Sequence, residues 1–311
     1  MKKRSYDLIG DVHGQAPELI RLLEKLSYKR VDGVWQHVNR KVVFLGDFID
    51  RGIHQKAVID IVRPMVEQGH ALSVMGNHEY NAIAYFTKNA NGEYLRLHNN
   101  KNLKQHKEFI DAYSSDIDEY ESVIKWFKTL PLWLELDDFR VVHACWDDKS
   151  IELIKDFQNG SNILSDELLC ESAKKSTWQR DAVEILIKGN KISIPNECVF
   201  NDADGNPRKK MRVKWWKDSS SNYQDCFIGS NTVKALLPLT AISSYDLVDY
   251  KLSEKLLFIG HYWLNNEIIP LADNIICLDY SVAKPAGKLV AYQWDRKGAI
   301  DNNKFVSVER I

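Results

Sequence analysis

Runs of β-branched and apolar residues that stop abruptly at a polar cluster set the first pattern in this chain: Tyr6 to Ile9, Lys41 to Leu45, Ala71 to Met75, Arg140 to Val142 and Leu256 to Ile259. Runs this short and this continuously apolar predict buried strands. Between the first three, apolar residues recur at helical spacing: Leu19, Ile20, Leu22, Leu23 and Leu26, then Val58, Ile61, Val62, Met65 and Val66. Pro64 falls inside the second set, so a kink or a shortened helix is expected there. The order β-α-β-α-β predicts an α/β fold whose sheet has parallel strands joined by helical crossovers.

Other segments fill in around this frame. Asp32 to His37 predicts a turn and a short peripheral hairpin. A second helical region from about Asn81 to Leu130, ended by Pro131, offers Trp126 and Phe127 to the core. From Asp147 to about Lys255 the pattern changes, with helices expected around Asp166 to Ser176 and Trp178 to Ile187, then a polar, turn-rich stretch. Residues 147–255 are read as a capping insertion within a single domain spanning 1–311. The chain closes with strand-like runs at Asn274 to Leu278 and Leu289 to Trp294, separated by Lys284, Pro285, Ala286 and Gly287. There is no internal repeat and no low-complexity segment.

The polar clusters that end the strands carry the candidate chemistry. Side chains from separate strands converge beyond the carboxyl edge of a parallel sheet. Asp11 and His13 follow the first run, Asp47, Asp50 and Arg51 the second, Asn77, His78 and Glu79 the third, His143 the fourth and His261 the fifth. Carboxylate, imidazole and amide oxygen without thiolate suit Mn, Fe or Zn. Asp47, central in the set, is the candidate to bridge two cations, and such a pair suits in-line attack on phosphorus. Each element alone has a plainer explanation: Asp11 can cap a helix, and a lone His143 or His261 can be a hydrogen-bonded core residue. The combination, in this order at successive strand ends, points to a metal cage.

Composition narrows the setting. A net charge of −1 gives no global attraction to nucleic acid or anionic membranes, so any positive charge for an anionic substrate must be local. The basic start breaks at Asp11 before a signal-peptide core forms, and no apolar run is long enough to span a bilayer. Five scattered cysteines without a C-x-x-C pair suit a reducing, cytoplasmic compartment. Cys145 lies close to His143, but a thiol nucleophile fits the surroundings less well than metal chemistry.

The elements GDVHG, GDFIDRG and GNHE, followed by VVHACW and FIGHY, resemble the metallophosphoesterase (calcineurin-like phosphoesterase) superfamily, in its phosphoprotein-phosphatase-type branch. The resemblance is dense to about Asn81, then reduced to anchors at His143, His261 and Asp279. It implies a layered αββα fold, central mixed sheets flanked by helices. It also implies two divalent cations, manganese foremost, with one on Asp11, His13 and Asp47 and the other on Asp47, Asn77, His143 and His261. By the same resemblance His78 is the general acid, Asp50 orients it, and Arg51 grips the phosphate. The reaction expected is phosphomonoester hydrolysis by in-line attack of a hydroxide held between the two cations.

Departures from the pattern shift the substrate. Ala144, Cys145 and Trp146 follow His143 where phosphoserine and phosphothreonine phosphatases have two glycines, and Cys277 to Ser281 replaces their Ser-Ala-Pro-Asn-Tyr stretch. The tail is closer to bacterial members, including those resembling diadenosine tetraphosphatases and the phosphatase modules of nucleic-acid repair enzymes. The alternatives are therefore a dinucleoside polyphosphate hydrolase or nucleotide phosphodiesterase, and a non-catalytic metal-binding module. The substrate expected is a phosphorylated small molecule, nucleotide or macromolecule. Pro207 to Lys217 interleaves basic residues with tryptophans, which reads either as a phosphate-and-base contact or as a half-buried strand. Arg212 is the candidate second phosphate-gripping cation, and Asp279 a possible substrate contact. His37, His54, His70, His98 and His106 fit no ligand spacing.

Overall fold

The computed structural model describes residues 5–201, 207–217, 221–243, 247–295 and 299–311. The basic residues Lys2, Lys3 and Arg4 lie outside them. Two sheets form the centre. In the first, strands Ser5–Ile9, Arg40–Phe44 and Ala71–Ser73 run parallel, and Lys288–Trp294 joins Ser5–Ile9 antiparallel. Asp279–Tyr280 and Phe305–Glu309 flank that last strand. In the second, Phe139–Val142, Leu256–Ile259 and Ile275–Cys277 are parallel, with Trp133–Glu135 antiparallel at the edge.

The continuously apolar strands have a simple cause. Tyr6, Leu8, Val43, Leu45, Val141, Phe258 and Ile276 share one buried cluster between the two sheets. Their neighbours Ile9, Val42, Phe44, Val142, Leu257, Ile259 and Ile275 belong to the other cluster, against the helices. Both faces of each strand are thus removed from water, which is the condition for an apolar run rather than alternation. The result is helices, sheet, sheet, helices, the layering of a metallophosphoesterase.

Several boundaries differ from expectation. The region read as helical from Asn81 to Leu130 is three helices, Asn77–Phe86, Asn100–Tyr113 and Ile117–Phe127. Asn99 and Asp116 cap the last two by accepting backbone N–H bonds three residues on. Pro64 does not shorten its helix, which runs over Gln55–Glu67 with the proline near its end. Helices Asp166–Ala173 and Trp178–Lys188 lie where expected, preceded by Asp148–Phe157, which the apolar pattern did not announce. Buried residues of all three, Ile151, Leu168 and Leu186 among them, join the outer cluster of the sheets. The Asp32–Gly33 turn, both residues at positive φ, closes the hairpin Lys29–Val31 with Val34–Gln36.

Candidate metal centre

Loops leaving the parallel strands of both sheets meet at one place. Backbone bonds stitch them: Val12 and His13 amides donate to the Asp47 carbonyl (3.1 and 2.9 Å), and the Gly260 amide donates to His143 (2.8 Å). Two further bonds cross between the sheets. His143 Nδ1 donates to the Leu45 carbonyl at 2.6 Å, and the His261 amide donates to the Asp11 carboxylate at 3.1 Å. Left-handed backbone gathers here, with His13, Asp47, Asp50, Arg51, His261 and Trp263 all at positive φ. For non-glycine residues this costs about 1 kcal/mol or more each, so the surrounding packing must hold them. Gly260 is needed for contact, since a Cβ there would lie 2.1 Å from Asp11 Oδ1.

Asp47 sits in the middle. Its Oδ2 lies 3.2 Å from His143 Nε2, 3.7 Å from His13 Nε2 and 3.9 Å from His78 Nε2. His13 Nε2 is also 4.0 Å from Asp11 Oδ2. The ring nitrogens of His13 and His143 that face away are bonded to the Ile49 (2.9 Å) and Leu45 carbonyls. Their Nε2 atoms, and that of His261, are buried without any hydrogen-bond partner. Buried ring nitrogens aimed at a carboxylate, with the opposite nitrogens of His13 and His143 anchored, are what a bound cation requires. The Asn77 amide lies 2.7 Å from His261 Nδ1. Turned nitrogen-first it donates to that ring and to the Ile187 carbonyl; turned oxygen-first it leaves two lone pairs face to face, an arrangement a cation satisfies. Two overlapping groups of residues can hold a cation, His13 with Asp47 and His78, and Asp47 with His143 and His261. Asp11, His13, Asp47, Asn77, His143 and His261 are thus brought together.

Electrostatics agree with this use. Burial, reinforced by the neighbouring His78, lowers the His13 pKa to about 3, and burial with the Arg212 charge keeps His261 well below its usual range. Both imidazoles therefore offer neutral lone pairs. Burial alone would raise Asp47, but His143 and His78 more than reverse it and hold it below the carboxylate range. Burial, Asp279 and Asp47 push Asp11 up. Crowded buried acids of this kind need compensating positive charge.

His78 Nδ1 meets Asp50 Oδ2 at 2.5 Å, leaving Nε2 toward the site. The other Asp50 oxygen accepts from His106 Nδ1 at 2.7 Å, so this carboxylate stands between two imidazoles. His106, read from the sequence only as an ordinary surface or hydrogen-bonding residue, is buried on helix Asn100–Tyr113 and is the principal addition to the site. Glu79 is the second addition: its carboxylate accepts from the Asp47 (2.8 Å), Phe48 (2.8 Å) and Gly76 (3.0 Å) amides, tying together the loops that carry Asp47 and Asn77. Asp279 is 1% exposed, and its oxygens accept from the Trp263 (2.7 Å) and Ser281 (3.0 Å) amides. It therefore braces the loop after His261 and is not open to substrate. Cys145 is fully buried and burial pushes its thiol up, which leaves it protonated and unsuited to attack.

Arg51 is exposed and forms no ion pair with Asp50; its guanidinium lies 4.0 Å over the Trp263 ring, beside Lys284 at 4.4 Å. Trp263, unmarked in the sequence, also stacks on His13 at 5.2 Å. These residues open into a cleft of about 880 Å³ that Arg212, Lys214, Trp216 and Lys217 also line. The segment around Arg212 is a strand, Lys210–Arg212, with Met211, Val213 and Trp215 buried and Arg212, Lys214 and Trp216 facing out. Its outward face is the cleft wall, so the strand reading and the contact reading describe two sides of one element.

The family model for calcineurin-like phosphoesterases matches residues 6–262. The chain belongs to the calcineurin-like phosphoesterase family. Among relatives of this family, the bis(5'-nucleosyl)-tetraphosphatase PrpE (asymmetrical) of Anoxybacillus flavithermus is 34% identical over 221 residues, 63% of this chain and 86% of its own length. The protein of the same name from Oceanobacillus iheyensis is 33% identical over 149 residues, 44% of this chain and 54% of its own length, so the match spans about half of that relative. A cold-active protein tyrosine phosphatase is similar in structure, with TM-score 0.52 at 17% identity over 97% of this chain and 80% of its own. A Saccharomyces cerevisiae protein serine/threonine phosphatase gives TM-score 0.52 at 14% identity, covering 99% and 79%. At such identities these two establish the fold alone. Calcineurin-like phosphoesterases are metal-dependent hydrolases of phosphate esters, and the buried histidine and aspartate groups fit that requirement. No helix among the described residues is long and apolar enough to cross a membrane.

Proposed function

We propose that this chain hydrolyses a phosphoanhydride bond in dinucleoside polyphosphates. The cleft beside the metal centre carries the reading: Arg51, Arg212, Lys214, Lys217 and Lys284 line it, with no acidic side chain among the described residues of its wall, and Trp216 and Trp263 stand among them. One phosphate group is matched by one or two cations, so five suit a chain of phosphates; the Trp216 indole suits a base, while Trp263, stacked on His13, carries Arg51 and Lys284 on its ring. The bacterial relatives, named bis(5'-nucleosyl)-tetraphosphatases, point the same way. This reading replaces phosphomonoester hydrolysis, the reaction expected first from the sequence, whose substrate would leave most of that charge unmatched.

In this proposal Asp11, His13 and Asp47 would hold one cation, and Asp47, Asn77, His143 and His261 the second. Two divalent cations, manganese foremost for this donor set, would supply charge neutralisation and a water acidic enough to react near neutral pH. His78 gives a proton from Nε2 to the departing oxygen, held in line by Asp50 on its Nδ1. In the metal-free protein burial opposes protonation of His78, but Asp47 and Asp50 overcome it and raise its pKa; with Asp47 on the cations, the Asp50 carboxylate on Nδ1 would be the partner that favours the protonated ring. Arg51 takes the reacting phosphoryl group, and Arg212 and Lys284 the rest of the polyphosphate. The scattered, unpaired cysteines suit a cytoplasmic setting.

The test is product analysis with diadenosine tetraphosphate and manganese. Asymmetrical cleavage, as in the relatives' name, gives ATP and AMP; symmetrical cleavage gives only ADP. Either outcome supports the anhydride reading. Turnover of 4-nitrophenyl phosphate without any turnover of the dinucleotide would return the assignment to a phosphomonoesterase.

A further inference from the structure

Beyond Arg212 lies a second cleft, about 820 Å³, which shares Arg212 and the Phe227–Ser230 wall with the first. Two strand pairings define it. Lys191 stands directly opposite Arg212, and Arg208 directly opposite Phe200, both in antiparallel register. Residues directly opposed in an antiparallel pair project from the same face, and like charges so placed repel. Neither Lys191 nor Arg212 makes an ion pair among the described residues, and the neighbouring acid, Glu184, is already bonded to Lys188 (2.9 Å) and Arg180 (3.2 Å). Arg212 also lines the first cleft together with Tyr262 and Trp263, the two residues that follow His261, which puts this wall at the rim of the metal centre. Further out, the half-buried Phe200 meets Phe227 edge to face at 6.0 Å, giving an aromatic end to a cationic channel.

We infer that this second cleft is a subsite for the far nucleotide of the substrate, with Lys191 and Arg212 on its phosphates and Phe200 against its base. The inference rests on the dinucleoside polyphosphate reading. It assigns the two clefts to the two ends of one molecule: one nucleoside lies by Trp216, the phosphate chain passes Arg51 and Arg212, and the other nucleoside lies by Phe200. The repelling Lys191–Arg212 pair is then relieved by the anion that runs between them.

Kinetics of Phe200→Ala and Lys191→Met, on the full chain loaded with manganese, test it with two substrates. Diadenosine tetraphosphate reaches both clefts; 4-nitrophenyl phosphate reaches neither beyond Arg51. Both variants are expected to raise KM for the dinucleotide roughly tenfold, the scale of one lost base stack or phosphate contact, and to leave kcat/KM for the aryl phosphate within about twofold. Phe200→Leu, which fills the space without a π face, is expected to behave as Phe200→Ala does, separating stacking from collapse of the hairpin. Unchanged KM for the dinucleotide in both variants, or equal loss on both substrates, overturns the subsite and leaves the anhydride reading standing. A wild-type protein that cleaves the aryl phosphate alone overturns both.

Discussion

Replacing His106 with alanine puts the new member of the site to a quantitative test. His106 Nδ1 donates to one oxygen of Asp50 at 2.7 Å, and the ring packs against Phe109 (5.0 Å) and Tyr85 (5.5 Å) in a buried setting. A buried hydrogen bond to an ionised carboxylate contributes roughly 1.5–3 kcal/mol, and the emptied ring volume adds a cavity cost. The loss expected is about 3 kcal/mol, measured by urea unfolding of metal-free protein. There is also a sign to check in acid. Burial alone would raise Asp50, but His106, followed by His78, holds it below the carboxylate range. A depressed folded pKa gives stability that is present above the unfolded value of about 4 and lost as pH falls through the folded one. Removing His106 lets the folded value rise, so the acid-unfolding midpoint moves to higher pH. The Asp50 amide stays bonded to Gln55 Oε1 at 2.8 Å, so the backbone is kept while the carboxylate loses one of its two imidazoles. Proton donation by His78 should therefore weaken, with kcat on a poor leaving group falling roughly tenfold, short of the 10²–10⁴ expected for losing the acid itself. His106→Asn, whose amide can replace the Nδ1–H, should recover most of both losses. Stability within about 0.5 kcal/mol of wild type together with unchanged kcat would refute the account.

Two other substitutions separate roles in the cage. Asp47→Asn is expected to abolish paired metal binding, whereas His78→Ala should retain two metals by elemental analysis and lose rate most severely with poor leaving groups; loss of metal in His78→Ala would instead make that ring a ligand of the His13 and Asp47 group. Gly260→Ala should displace the Asp11 carboxylate and lower metal stoichiometry from two toward one, with an unchanged far-ultraviolet circular dichroism spectrum; full metal content would show that the loop can yield.

What could be read from the sequence follows from how narrowly each position is constrained. The strands were legible because both faces are buried, so Leu8, Val43 and Phe258 on one side and Ile9, Phe44 and Ile259 on the other all had to be apolar. That the strands divide into two facing sheets was not written in those runs; it came from the family resemblance, since a run buried by a helix and one buried by another sheet look alike. The cage was legible for a related reason. Few residue types can donate lone pairs to a divalent cation, so the candidates Asp11, His13, Asp47, Asn77, His143 and His261, which the structure brings together, stand out by chemistry and by place at a strand end.

The residues that hold the cage in position are made of types that ordinary cores also use. His106 looks like any histidine on an amphipathic helix, and only the packing of Asn100–Tyr113 against the Asp50 loop turns its Nδ1 toward a carboxylate. Glu79 stood in a recognised motif without a task until three backbone amides were found on it. Trp263 had no signal at all, since its place over His13 and under Arg51 depends on a left-handed backbone that Asp279 braces through the Trp263 amide. Support of this kind is set by long-range contact, and it is also what keeps six left-handed residues in place around the cage. Substitutions of His106 or Glu79 should therefore disturb geometry before they disturb ligand count, which metal stoichiometry measured beside kcat would reveal.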